Sequence, residues 1–177
     1  MKCMGQILTF LVILVLDQVT KYFASHSLTL GEPMSVLPGI FNLTLVYNPG
    51  AAFGMFGGYP DVMRRITLWG VSFIALFVVL RFMFNEARGD KLSQYALVGI
   101  LAGALGNIID RLRFDAVIDF LDFYWKTYHW PAFNVADSAI CVGVAVLILR
   151  VTFARTVEHP PLPVAKSNED TPGRSSL

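Results

Sequence analysis

Residues 66–80 read ITLWGVSFIALFVVL, a run with no charge, bracketed by Arg64, Arg65 and Arg81. A bilayer's hydrocarbon core takes about 20 helical residues to cross, so this run with its flanks predicts a membrane span. Similar runs lie on both sides. Tyr95 to Ile109 is apolar and carries Gly99, Gly103 and Gly106, which let helices pack closely. Ala132 to Leu149 has Asp137 as its only charge. Cys3 to Leu16 extends through Asp17 to Phe23. Lys2 precedes this first run as in a signal peptide, but no small-x-small cleavage site follows and further spans come later, so it reads as a retained helix. The prediction is a membrane all-α protein with four transmembrane helices.

Composition agrees. Of 177 residues, 55% are hydrophobic and 15% charged, the mean hydropathy is +0.57 and the net charge is +1. Soluble domains carry about 25% charged residues. The chain is too apolar to be disordered and has no basic excess for a phosphate backbone, so no nucleic-acid partner is expected. Cys3 and Cys141 are too far apart in sequence for a disulfide framework or zinc knuckle, and His26, His129 and His159 lack metal-ligand spacing. No metal is expected. No G-x-S-x-G, phosphate-loop or dinucleotide fingerprint is present.

The connections differ in character. Asn85 to Lys91 is a short polar turn. Leu112 to Pro131 is rich in aromatic residues and reads as an interfacial belt. Within the long Ser25–Arg65 connection, Phe41, Leu43, Leu45 and Tyr47 alternate with other residues, a strand pattern that predicts a small antiparallel sheet outside the bilayer core. Asn42-Leu43-Thr44 matches a glycosylation sequon, a pattern short enough to arise by chance. Residues 1–157 form the expected transmembrane domain, and Pro-rich residues 158–177 read as a flexible tail. With the N-terminus inside, eight basic residues fall on the inner face and six on the outer, a weak inside bias.

The acids are more informative. An odd-numbered span ends on the side where the next even-numbered span begins. Asp17, Asp110, Asp119 and Asp137 therefore gather at one face, whichever face that is. A charge in the membrane costs roughly 2.5–3.5 kcal/mol on insertion scales. Asp17 and Lys21 are spaced i,i+4 and read as an ion pair. Asn107, Asp110 and Arg111 share a helical face, as do Asn134 and Asp137. Asp119 and Asp137 have no adjacent cation. Two such carboxylates brought close in a low-dielectric site share a proton. The charged member then serves as general base on water, and the protonated one donates to a carbonyl. Asp119 with Asp137 is the best candidate dyad, with Asp17 and Asp110 in support. Lys21 and Ser25, spaced i,i+4, are the weaker Ser/Lys alternative. Intramembrane acids also serve as relays, so a small proton-coupled transporter is the alternative function. A non-catalytic assembly subunit is a third, which leaves the Asn134–Asp137 and Asn107–Arg111 groupings unexplained.

Five segments in order then resemble the lipoprotein signal peptidase (signal peptidase II) family: Asp17-Gln18-Val19-Thr20-Lys21, Asn48-Pro49-Gly50-Ala51-Ala52-Phe53-Gly54, Gly103 through Arg111, Val117-Ile118-Asp119-Phe120, and Phe133-Asn134-Val135-Ala136-Asp137. Ala102 departs from the family, which often has a second Gly there. The resemblance implies an aspartic endopeptidase of the bacterial inner membrane. Both termini would be cytoplasmic, and an extracytoplasmic β-cradle, about residues 28–60, would lie over a periplasmic-side active site. The substrate would be a prolipoprotein whose cysteine already carries diacylglycerol, cut just before that cysteine. By resemblance Asp119 and Asp137 are the dyad. Asn48, Asn107, Arg111 and Asn134 bind substrate or orient the dyad, and Asp17, Lys21 and Asp110 support it. The family needs no cofactor and is inhibited by globomycin-like cyclic peptides. Membrane lipid is the expected surrounding and a monomer the expected state. The small residues Gly50, Ala51, Ala52 and Gly54 are expected to let a lipid chain or peptide pass, with Phe53 and the belt aromatics over the site.

Overall fold

The computed structural model describes residues 2–50, 61–85 and 90–157. The expected tail, the passage Ala51–Gly54 and most of the polar turn after Asn85 lie outside the described residues. In chain order the elements are α1 (Lys2–Ser27), β1 (Pro33–Leu37), β2 (Phe41–Asn48), α2 (Asp61–Asn85), α3 (Lys91–Phe114), β3 (Val117–Trp125), β4 (Tyr128–His129) and α4 (Val135–Val157). Among the described residues, three helical stretches are long and apolar enough to cross a membrane: Met4–Ser27, Arg65–Met83 and Lys91–Phe114. The last has 24 residues, about 36 Å at the usual helical rise, against a hydrocarbon core of about 30 Å.

Helix α3 is the centre, packed against α1, α2 and α4. Leu97, Ile100 and Ala102 are buried on it, whereas Leu8, Leu11, Val12 and Val15 of α1 face outward. In water that outward stripe would be a liability; against lipid tails it costs nothing. Glycines set the α3–α4 spacing. A Cβ on Gly103 would run into the Ala136 carbonyl oxygen, and one on Gly143 would come within 2.7 Å of the Ala96 carbonyl oxygen. Gly99 is looser, with its nearest neighbours, Ala139 O and Ile13 Cδ1, at 3.8 Å. Asp90 caps the start of α3, accepting from the Leu92 N–H at 3.1 Å and the Ser93 hydroxyl at 2.6 Å. It also pairs with Arg150 at 3.0 Å, joining the start of α3 to the far part of α4.

The sheet has the order β1-β2-β3-β4, with antiparallel neighbours. Strand β2 covers the predicted alternating stretch. Gly39, at φ 84°, takes the left-handed conformation in the turn before it. Within residues 112–131 the structure adds strands β3 and β4, while Phe123, Trp125, Tyr128 and Trp130 stay exposed. Val117, Ile118, Asp119 and Phe120 are all buried, so both faces of β3 are covered and the period-2 signal vanishes. The sheet thus draws strands from residues 117–129 as well as from the expected 28–60 region. Asn42 of the sequon is buried inside it, bonded to Asp122 at 3.2 Å.

Candidate active site

The first turn of α4 organises the site. Asn134 stands just before the helix, and its Oδ1 accepts the Asp137 N–H at 2.9 Å. The Asp137 Oδ2 accepts the Asn134 N–H in return, at 3.4 Å. This reciprocal capping box satisfies two helix-terminal donors and fixes the Asp137 side chain from local sequence alone. The amide of Asn134 reaches outward, donating from Nδ2 to Asp119 Oδ1 at 2.7 Å. The same nitrogen lies 3.2 Å from the Ile118 carbonyl and 3.3 Å from Asn107 Oδ1.

Asp119 arrives on β3 and is 2% exposed. Its second oxygen accepts from Asn48 Nδ2 at 2.9 Å. Asn48 ends β2, and its own Oδ1 accepts the Gly50 N–H at 2.9 Å where Gly50 turns at φ 93°. On the other side, Asp137 Oδ1 accepts from Asn107 Nδ2 at 2.8 Å. Burial pushes the Asp119 carboxyl from its ordinary 3.8 up to about 7, with the charge of Asp137 adding to the rise. The amides of Asn48 and Asn134 and the charge of Lys21 oppose it.

Beneath this pair lies a buried ionic group. Lys21 Nζ meets Asp17 Oδ2 at 2.9 Å, Asp110 Oδ2 at 2.8 Å and Asn107 Oδ1 at 2.9 Å. Exposure is 1% for Lys21, 0% for Asp17 and 1% for Asp110. One ammonium cannot satisfy two carboxylates, and backbone donors complete the set. Asp17 Oδ1 accepts the Ala136 N–H at 2.8 Å, placing an anion at the positive end of α4. Asp110 Oδ2 accepts the Ile118 N–H at 3.2 Å. Gln18 Nε2 lies 3.2 Å from both Asp17 Oδ2 and Asp110 Oδ1. Among the described residues no buried side-chain nitrogen or oxygen lacks a partner. Gly106 is required here, because a Cβ would collide with the Asp17 carboxylate.

All the acids and amides expected to gather at one face therefore meet in one network. The Asp17–Lys21 pair forms as its spacing predicts. Asp110 pairs with Lys21 of another helix, and Arg111 beside it lines the cavity instead. That cavity, of about 440 Å³, is lined by Asn48, Asn107, Arg111, Asp119 and Asp137, with Trp130 to Phe133 as its apolar wall. Gln18 and Phe133 stand in segments that resemble the family but carry no individual role in the sequence. Glutamine beside an acid is unremarkable, and the wall's aromatic residues look like a belt until β3 and β4 place them along the cavity. Asn134–Asp137 was detectable as a spacing, but not its reach to Asp119.

Apolar helices of spanning length, with two carboxylates on one cavity at the end of their bundle, define a class, that of membrane aspartic peptidases. The particular family follows from comparison. Residues 9–153 match the family described as signal peptidase (SPase) II, and the chain belongs to that family. The lipoprotein signal peptidase of Desulforapulum autotrophicum is 45% identical over 142 residues, covering 80% of this chain and 88% of that protein. The lipoprotein signal peptidase of Geobacter sulfurreducens is 50% identical over 135 residues, 76% of this chain and 82% of that one. A solved bacterial membrane enzyme, determined by the in meso method at 2.3 Å, superposes with a TM-score of 0.77 at 30% identity, over 89% of this chain and 93% of that chain. The transporter reading is not favoured by these relatives.

Proposed function

We propose that this protein is the endopeptidase that removes the signal peptide from diacylglyceryl-modified prolipoproteins, cutting just before the lipidated cysteine. Asp119 and Asp137 are the catalytic dyad. The observation that carries the reading is that both carboxyls line one cavity and both accept a hydrogen bond from Asn134, Asp119 from its side-chain amide and Asp137 from its backbone N–H. A water between them is deprotonated by the charged carboxylate and attacks the scissile carbonyl carbon. The protonated partner donates to the carbonyl oxygen. As the tetrahedral intermediate collapses, the C–N bond breaks, and a carboxyl proton passes to the departing amine. Asn48, Asn107 and Asn134 orient the acids and, with Arg111, bind substrate backbone left without helical partners in lipid. Asp17, Lys21 and Asp110 hold α1, α3 and α4 in register beneath the dyad. No cofactor takes part.

In this reading α1 to α4 all span the bacterial inner membrane, both termini are cytoplasmic, and the sheet and cavity lie on the periplasmic side. The substrate helix and its acyl chains enter from lipid, and the scissile bond meets water at the bilayer rim. The enzyme works as a monomer, and globomycin-like cyclic peptides occupy the same cavity. The test is cleavage of a synthetic diacylated precursor by purified protein. Asp119→Asn is expected to lower kcat on the order of a thousandfold or more while the protein still folds. A folded Asp119→Asn variant with full activity removes Asp119 from the dyad.

A further inference from the structure

A second polar cluster on the sheet has no part in that mechanism. Asp122 lies three residues beyond Asp119 on β3 and so faces the other side of the strand. Its side chain is 8% exposed. Its Oδ2 accepts from Asn42 Nδ2 at 3.2 Å and lies 3.4 Å from the Thr44 hydroxyl, both on β2. His129 of β4 brings Nδ1 to within 2.9 Å of Oδ1 and 3.1 Å of Oδ2. A single carboxylate thus ties three strands together. The His129 ring also stacks on Tyr124, 5.1 Å away and 11° from parallel, and the Tyr124 hydroxyl accepts the Gly39 N–H at 2.7 Å.

The position of this cluster in the chain matters. His129 is followed directly by Trp130, Pro131, Ala132 and Phe133, the apolar wall of the cavity that holds Asp119 and Asp137. The wall is an arch clamped at both ends. At its start the Trp130 N–H donates to the Phe123 carbonyl at 2.8 Å. At its end Phe133 exchanges backbone bonds with Leu121 at 2.9 and 3.1 Å. The backbone clamp at Phe133 runs straight into Asn134. The start of the arch follows a strand of two residues, β4, which has little ladder of its own. The Asp122–His129 contact supplies the side-chain anchor there.

We propose that Asp122 and His129 are positioning residues, a latch that holds the Trp130–Phe133 arch as the wall against which the apolar part of the substrate lies. The proposal rests on the cavity being the peptide-binding site. The latch touches neither the acids nor the water, so it acts on binding and leaves the chemical step alone. Its loss therefore raises KM rather than lowering kcat.

The experiment is steady-state cleavage of the synthetic diacylated precursor by the purified full chain in one detergent. His129→Ala is expected to raise KM about tenfold, the scale of one hydrogen bond to a charged group, with kcat within about twofold of wild type. His129→Gln, whose carboxamide can donate to Asp122, is expected to recover most of that loss. Trp130→Ala alters only an exposed wall residue, so it tests the wall even if His129→Ala fails to fold; it too is expected to raise KM. Unchanged KM in Trp130→Ala, unchanged KM in a folded His129→Ala, or equal defects in His129→Ala and His129→Gln would overturn the latch. Asp119→Asn assayed alongside separates the two claims. If it keeps wild-type kcat the dyad assignment fails, while the KM values still decide the latch.

Discussion

Asp119 and Lys21 show how differently one fold treats two buried charges. Lys21 is neutralised by two carboxylates and an amide oxygen, within 2.9 Å of each. Asp119 accepts two amide hydrogen bonds but among the described residues has no cation in contact, and burial moves its carboxyl up to about 7. In the proposed dyad a carboxyl raised in this way keeps the shared proton toward neutral pH. Lys21, Arg111 and Asp17 are the charges that face the pair. Losing the proton leaves two anions together, so kcat for the diacylated precursor is expected to fall as pH rises through about 7. For stability the sign is the same. A carboxyl whose folded pKa is raised contributes fully below 3.8, and that contribution is lost as pH rises toward 7. Melting in detergent across this window should show a slope that Asp119→Asn flattens. Lys21→Met is the opposite case, since it leaves Asp17 and Asp110 buried without their cation. The expected cost is about 3–5 kcal/mol, read as a large drop in melting temperature.

At the scale of elements, the α3–α4 contact sets the geometry of the site. Three constraints converge on the first turn of α4: the Asn134–Asp137 box, the Asp17 carboxylate on the Ala136 N–H, and the Gly103 backbone against Ala136. Moving α4 outward by the width of a methyl group would pull Asp137 away from Asn107 and Asn134 from Asp119. Gly103→Ala is therefore expected to cost about 1–3 kcal/mol, the range for overpacking, and to lower cleavage as well. Gly99→Ala, one turn earlier, meets only ordinary contacts at 3.8 Å and should be nearly neutral in both assays. Paired thermal melts and cleavage rates of the two variants check this. A Gly103→Ala variant as stable and active as Gly99→Ala would show that the helices have room to adjust.

Across the whole molecule, the polar network lies between Asp17 and Asp137, and the family match ends at residue 153. A chain ending at Val157 is therefore expected to fold, insert and cleave the diacylated precursor like the full chain. Loss of cleavage in that truncation would assign a role to residues 158–177. The same arrangement explains why the acids tolerate the membrane. They do not sit singly in lipid but form one hydrogen-bonded cluster at the end of the bundle, where α1 and α3 finish and α4 begins.

The apolar runs, the strand at Phe41 to Tyr47, and the gathering of four aspartates at one face are legible from the linear chain, because hydropathy and span parity are its own properties. It also marked Asp17–Lys21 and Asn134–Asp137, whose partners lie within one helical turn. Tertiary structure alone decided the rest. Strand β3 escaped notice because burial on both faces erased its alternation. Asp110 chose Lys21 of α1, and Asn134 reached Asp119 fifteen residues away in sequence. Such pairings depend on how closely helices approach and on which strand lies beside which, and no local spacing encodes either.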